Sequence, residues 1–259
     1  MTKKPLIYEP TGRAAEYVQN ADGSTDLACN PWTGCEHDCL YCYAKRWGER
    51  PLELRRDFFK GLRAEAQHLH GSGRRVLLCF LTDPYQPHDR ATQFTRQTIL
   101  ILQEHGLHVT VLTKGGMRAV RDFDLLGPGD QFAATLTFTR WEDSRHWEPK
   151  AATPDERLKA LRLAHRQGIE TWVSLEPIMD PAQTVALIEA SHEFVDEFRV
   201  GKLNYVHLGI DWRRCAEVVL EALQRHGCRW YIKQDLLKFM PPGTPQRSPG
   251  QVREKVRAR

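Results

Sequence analysis

Three cysteines stand within eight residues in the stretch "GCEHDCLYCYA": Cys35, Cys39 and Cys42, spaced C-x3-C-x2-C. Thiolates bind iron–sulfur clusters, usually four to a cubane. Three on one tight loop hold three irons of a [4Fe–4S] cluster and leave the fourth iron open to a ligand. An open metal position is the mark of a reactive site, in contrast to a closed structural one. Tyr41, directly before Cys42, is placed to lie over such a cluster and shield it. Cys29, six residues before Cys35, supplies the alternative. A fourth thiolate would close the site, as a cluster or a zinc centre, and make the chain a non-catalytic binding protein. The three-cysteine spacing is complete without Cys29, which ends a strand-like run. Cys215 and Cys228 fall in a helical and a late strand-like segment and read as small core residues.

Ligand-bearing loops need a scaffold. "RRVLLCFLT" (74–82) is a continuous apolar run, as in a strand buried on both faces. Residues 107–114 are rich in β-branched residues and 131–139, 169–177 and 197–205 read in the same way as strands, residues 25–30 more weakly, and 228–233 as a late extra strand. Helical patterns lie between them. Thr153-Pro154-Asp155-Glu156 is a capping box with proline at the first helical position, and Asp180-Pro181 opens the next helix. Strand and helix alternate about six times, which implies parallel strands with helical crossovers. The expected fold is α/β: a partial (β/α)6 TIM-type barrel with a short C-terminal extension. Ligands bind at the C-terminal strand ends of such folds. Those ends carry the three cysteines, then Thr82-Asp83, Thr113-Lys114, Thr137-Phe138-Thr139, Ser174-Leu175-Glu176 and Gly201-Lys202-Leu203-Asn204.

The bulk properties set limits. The chain has 259 residues, 41% of them apolar. No apolar run reaches the roughly eighteen residues of a membrane span, so no membrane partner is expected. The start, Met-Thr-Lys-Lys-Pro-Leu-Ile, has no apolar segment of the signal-peptide kind after it. Seven cysteines, three of them bunched, imply a reducing compartment, hence a cytoplasmic protein. The expected organisation is an N-terminal extension over 1–24, the barrel over 25–240 with its cluster loop at 35–42, and a basic, flexible tail over 241–259. A net charge of +4 permits a polyanionic partner without requiring one. The tail ends with Arg247, Arg253, Lys255, Arg257 and Arg259 against Glu254, and reads either as a solvated end or as an arm that tracks phosphates. "RWEDSRHWEPK" (140–150) reads as a rim loop whose Trp141 and Trp147, with Arg140, Arg145 and His146, suit base stacking or a packed lid.

C-x3-C-x-aromatic-C resembles the signature of the radical S-adenosylmethionine (radical SAM) superfamily. "NPWTGCEHDCLYCYAKR", "TDPYQPHD" (82–89) and "WEPKAATPDER" (147–157) are similar to its branch of spore photoproduct lyases and DNA-repair photolyase-like proteins, over roughly residues 30–205. The resemblance implies a [4Fe–4S] cluster with SAM on the open iron, and an external electron donor of flavodoxin or ferredoxin type. It implies reductive SAM cleavage to a 5′-deoxyadenosyl radical that abstracts hydrogen, with DNA or RNA as the substrate to be repaired or modified. A peptide or a small metabolite is the alternative substrate. On this resemblance Thr82 and Asp83 face the SAM ammonium, Asp83 being equally a turn residue before Pro84. Lys114 resembles a SAM-binding lysine, against a snorkelling surface one. Thr137 reaches the ribose or merely fills its strand. Ser174 is a further SAM contact, and Glu176 is a catalytic or SAM-binding residue rather than a cap. Spore photoproduct lyases resemble one another in a hydrogen-donor cysteine three residues before the Asp, where this chain has Phe80. Cys79 is adjacent. If Thr82 faces the rim, alternation turns Phe80 and Leu78 inward and Cys79 out toward the helices, as an unreactive core residue.

Overall fold

The computed structural model describes residues 4–20, 22–48 and 50–249. One sheet runs in sequence order: β1 (Ile7–Tyr8), β2 (Leu27–Cys29), β3 (Arg75–Leu78), β4 (His108–Thr113), β5 (Gln131–Thr135), β6 (Glu170–Ile178), β7 (Glu197–Lys202) and β8 (Trp230–Ile232). β1 pairs antiparallel with β2, and every later pair of neighbours is parallel. β1 and β8 are the two edges, so the sheet curls as a partial barrel without closing.

The helices are α1 (Phe58–His68), α2 (Asp89–Thr92), α3 (Phe94–Glu104), α4 (Trp141–Trp147), α5 (Pro154–Arg166), α6 (Pro181–Ser191), α7 (Trp212–Arg225) and α8 (Gln234–Leu237). Six crossovers join β2 to β8. Five run through α1, α3, α5, α6 and α7, and the β4–β5 crossover is a 3₁₀ helix, Gly116–Leu125. Among the described residues no helix is long and apolar enough to cross a membrane.

Two layers of apolar packing follow from strand alternation. Val76, Leu78, Val109, Val111, Phe132 and Ala134 face the helices in the main core. Leu77, Leu112, Ala133 and Trp172 fill the barrel interior with Val18. The signposted caps form. The Thr153 hydroxyl accepts from Glu156 N–H at 3.1 Å while the Glu156 carboxylate accepts from Thr153 N–H at 2.9 Å. Asp180 accepts from Ala182 N–H at 2.8 Å.

Both ends of the described chain pack against the open side. Glu16, on the 3₁₀ turn Gly12–Tyr17, accepts from Gln234 N–H at 2.8 Å. Residues 241–249, expected as the start of a flexible tail, instead run back along β8. Ile232 N–H donates to Gln246 O at 2.7 Å and Ser248 N–H to Trp230 O at 3.1 Å. The edge strand's unpaired backbone groups are the reason, since they need partners. Arg253, Lys255, Arg257 and Arg259 lie outside the described residues.

Arg247 also pairs with Glu197 at 3.0 Å, and Arg199 pairs with the same carboxylate at 2.8 Å. Burial opposes the Glu197 charge, but the two guanidiniums outweigh it and hold the carboxyl below its usual range. A depressed carboxyl pKa adds stability above its unfolded value, about 4.3 for glutamate, and loses it as pH falls through the folded one. Glu197→Gln is therefore expected to melt lower at neutral pH and to lose less stability than the parent on acidification. Parallel thermal melts from neutral pH to about pH 3 check this. Two curves that run together throughout would deny the pair any share.

Candidate active site

A cavity of about 490 Å³ opens at the C-terminal strand ends. Cys35, Cys39 and Cys42, on the loop after β2, line it. Cys39 is buried, Cys42 half-buried and Cys35 exposed. Burial pushes the Cys39 thiol up to about 12, with the Lys114 ammonium pulling the other way. Metal ligation, which deprotonates thiols, is the route by which such a group becomes an anion.

The cysteine loop is held from below by backbone contacts. Leu40 N–H donates to Trp147 O at 2.8 Å, and Glu36 N–H to the buried Gln86 side chain at 2.8 Å. The Glu36 carboxylate in turn accepts from His88 N–H at 2.5 Å. The "TDPYQPHD" segment is thus a bed for the loop.

Tyr41 fixes the loop from the other side. Its hydroxyl donates to the Glu148 carboxylate and lies 3.2 Å from the Thr137 hydroxyl. Glu148 and Arg157 form an ion pair at 2.5 Å, both side chains almost wholly buried. Arg157 also donates to Ala152 O at 2.9 Å and Thr135 O at 3.0 Å. A buried guanidinium must find such acceptors or forfeit its solvation.

Asp83 lines the cavity, yet its carboxylate is spent inward. One oxygen accepts from Tyr85 N–H at 2.9 Å and the Thr113 hydroxyl at 2.5 Å. The other accepts from Lys114 N–H at 2.7 Å and lies 3.4 Å from His37 Nδ1. Burial acts to raise its pKa, but His37 and these donors hold the carboxyl well below the usual range. Asp83 therefore ties the cysteine loop, through His37, to the end of β4. Gly115 sits where a Cβ would meet Tyr85 at 2.5 Å, so the backbone there passes only as glycine.

Lys114 extends from the end of β4 into the cavity. Among the described residues its ammonium has no hydrogen bond or ion pair, and it lies 5.6 Å from the Tyr41 ring centroid. Burial opposes its charge, but Cys39 and Glu148 nearby hold its pKa above the ordinary lysine value. The Thr82 hydroxyl, also in the wall, is buried without a hydrogen-bond partner. Thr137 and Ser174 are buried but do not line the cavity; the Thr137 hydroxyl faces Tyr41, and Ser174 lies beneath the wall in β6.

Glu176 does line it and is the hub of a second cluster. Its carboxylate accepts from the Tyr17 hydroxyl and pairs with Lys233. Gly201 makes room: a Cβ there would lie 2.7 Å from the Glu176 carboxyl carbon. Tyr17 and Lys233 are site residues that strand-end reading missed. Lys233 carried a signal, since it ends an apolar strand as Lys114 does. Tyr17 carried none, lying in the segment taken as an extension.

Cys29 is buried in the sheet–helix core and does not line the cavity. Cys79 differs from expectation: it packs in that core and also lines the cavity. The reason is register. Leu77 faces the interior and Leu78 the helices, and β3 ends at Leu78, so Thr82 lies in a bend beyond the strand and cannot anchor its alternation. Residues 140–150 also differ: Trp141–Trp147 form α4 rather than a loop, and none of residues 140–150 lines the cavity. Arg140 is held by Asp143 at 2.7 Å and Asp180 at 3.3 Å, and Trp147 packs beneath the cysteine loop.

Among the described residues no three His, Cys, Asp or Glu side chains are gathered tightly enough to chelate a single ion. Cubane thiolates each take a different iron, so such a cluster asks for thiols around a larger centre. Among the described residues a buried Thr82 hydroxyl with no oxygen or nitrogen partner, a Lys114 cation with no ion pair and three thiols line one cavity, which fits a cluster that carries a ligand with anionic and cationic groups.

Comparison with known proteins agrees. Residues 29–195 match the model of the radical SAM superfamily. The chain is 24% identical over 163 residues to an uncharacterized protein of Methanocaldococcus jannaschii, covering 58% of this chain and 59% of that one. It is 27% identical over 171 residues to an uncharacterized protein of Mycobacterium tuberculosis, covering 58% of this chain and 48% of the relative. The chain thus spans about half to three fifths of the curated relatives it matches. Among solved structures it is similar to spore photoproduct lyase complexed with dinucleoside spore photoproduct, with a TM-score of 0.63, 13% identity and coverage of 83% of this chain and 78% of that one. It is also similar to Streptococcus suis SuiB bound to S-adenosylmethionine, with a TM-score of 0.58, 15% identity and coverage of 79% and 46%. These structures share the fold, and the family match, which covers more than half of the chain, carries the assignment: the chain belongs to the radical SAM superfamily.

Proposed function

We propose that this chain is a radical SAM enzyme whose cluster is held by Cys35, Cys39 and Cys42, with DNA or RNA as the substrate it repairs or modifies. The observation that carries the reading is the Lys114 ammonium, without a hydrogen bond or ion pair among the described residues, lining the same cavity as the three cysteines. When bound, the cluster and SAM supply a 5′-deoxyadenosyl radical, after reduction by an external flavodoxin- or ferredoxin-like donor. The protein's part is to bind, orient and exclude water. Lys114 offers a cation to the SAM carboxylate, and Thr82 a free hydroxyl beside it. Asp83 and His37 keep Lys114 and the cysteine loop in register. Glu176, held by Tyr17 and Lys233, presents a fixed carboxylate in the same cavity. Cys79 in the wall favours the lyase side of the reading, in which a thiol returns hydrogen to a product radical.

Lys114→Ala is expected to assemble the cluster normally and to bind SAM roughly ten- to a hundredfold more weakly, the loss of one charge-assisted hydrogen bond. Calorimetric SAM titration of the reconstituted variant checks this, and an unchanged affinity would remove Lys114 from the site. The substrate reading is tested by deuterium transfer. Uniformly deuterated single-stranded DNA or RNA should deliver deuterium into 5′-deoxyadenosine. Transfer from neither nucleic acid would defeat that part of the reading.

A further inference from the structure

The basic, aromatic rim expected at residues 140–150 lies elsewhere. Arg13, Tyr17, Lys202, Asn204 and Tyr205 line the cavity, whereas nothing between Arg140 and Lys150 does. Tyr205 is 54% exposed, the most exposed of the large apolar side chains described. Its backbone is left-handed, with φ of 74°. A bulky residue seldom adopts that conformation, and it recurs where function holds the chain in place.

Two arginines flank the ring. The Arg46 guanidinium lies 4.2 Å from its centroid and that of Arg13 lies 6.0 Å away. Arg13 also donates to the Tyr205 hydroxyl at 3.3 Å and is paired with Asp235 at 3.1 Å. Arg46 has no carboxylate partner among the described residues. Lys202 has none either; its ammonium donates to Leu203 O at 3.2 Å and lies 4.8 Å over the Trp212 ring. Among the described residues, two cations without a carboxylate partner, Lys202 in the cavity lining and Arg46 next to it over the Tyr205 ring, thus lie with an exposed aromatic ring at the mouth. Three separate segments supply it: the N-terminal 3₁₀ turn, the turn Tyr43–Trp47 after the cysteine loop, and the end of β7 with the chain that follows it.

We infer that Arg46, Tyr205 and Lys202 form a clamp for a single-stranded nucleic-acid segment. Arg46 and Lys202 take phosphates, and the exposed Tyr205 ring stacks the base next to the one that enters the cavity. This inference rests on the nucleic-acid reading above and deepens it. A cavity of about 490 Å³ does not admit a duplex, so the reacting nucleotide must enter unpaired. Guanidinium with an aromatic face is the pairing that holds such strands without reading their sequence. A small neutral metabolite would leave both cations unmatched.

The test is fluorescence anisotropy of a short labelled DNA strand on the reconstituted holoenzyme. Arg46→Ala and Tyr205→Ala are expected to weaken binding by about five- to a hundredfold. Arg46→Ala is also expected to flatten the slope of log affinity against log salt by about 0.7, one phosphate's share for a single strand. Tyr205→Phe should keep most of the affinity, because the ring does the stacking. Iron content and SAM affinity, unchanged in all three, serve as the control for folding, and both side chains are exposed, so neither change opens the core. If the parent binds the strand and the alanine variants bind it equally well, the clamp is overturned while the nucleic-acid reading stands. If the parent binds neither DNA nor RNA strands, the reading itself falls and takes the clamp with it. Equal affinity for an acidic peptide of matched charge would also overturn the clamp, since stacking would then contribute nothing.

Discussion

Alanine at Cys35, Cys39 or Cys42 is expected to abolish the binding of about four irons and four sulfides per chain, whereas Cys29→Ala keeps the full complement. The difference follows from placement. The first three thiols line one cavity, and Cys29 is fully buried in the core between sheet and helices. Its truncation leaves a small apolar gap costing on the order of 1 kcal/mol. Iron and acid-labile sulfide assays after anaerobic reconstitution decide the matter. Equal loss in the Cys29 variant would return the site to a closed, four-thiolate centre.

The second large effect belongs to Glu148 and Arg157. Arg157→Met removes the guanidinium paired with the buried Glu148 carboxylate and leaves it the Tyr41 and Ser144 hydroxyls and the nearby Lys114 ammonium, with no ion pair. Breaking a buried pair from one side costs about 3–5 kcal/mol, which for a chain of this size lowers the melting temperature by on the order of 10 °C. Tyr41 sits between Leu40 and Cys42, so the cluster should also be lost faster to chelators. The double variant Glu148→Gln, Arg157→Met removes both charges and is expected to recover much of the stability. A single variant as stable as the parent would show that the pair does not hold the loop.

How much of this was legible in the sequence depends on how far apart the partners lie. β3 was readable as a continuous apolar run, and β4 to β8 as short segments of β-branched and apolar residues alternating with helical patterns. β1, two residues long, has no such run and exists through its pairing with β2. The cysteine loop was readable because its ligands are neighbours in sequence. Asp83 stood out by resemblance, and Glu148 and Arg157 lie toward the two ends of the matching segment 147–157, but their work was not legible, since His37, Lys114 N–H and Tyr41 meet them only once the barrel forms. α4 was hidden by its tryptophans, although Glu142 and Asp143 in its first turn and Arg145 and His146 in its last match the helix dipole. Cys79 was misplaced because alternation was carried past the end of its strand. Arg13, Tyr17, Tyr205 and Lys233 come from opposite ends of the chain, and no local pattern relates them.

The central claim is that three thiolates hold a cluster with an open position for SAM. The most direct measurement is the electron paramagnetic resonance spectrum of the reduced, reconstituted protein with and without SAM, followed by chromatography of the products. SAM is expected to change the cluster signal, and reduction to yield 5′-deoxyadenosine and methionine in a manner that Cys39→Ala abolishes. A cluster whose spectrum ignores SAM, with no 5′-deoxyadenosine formed under reduction, would contradict the account.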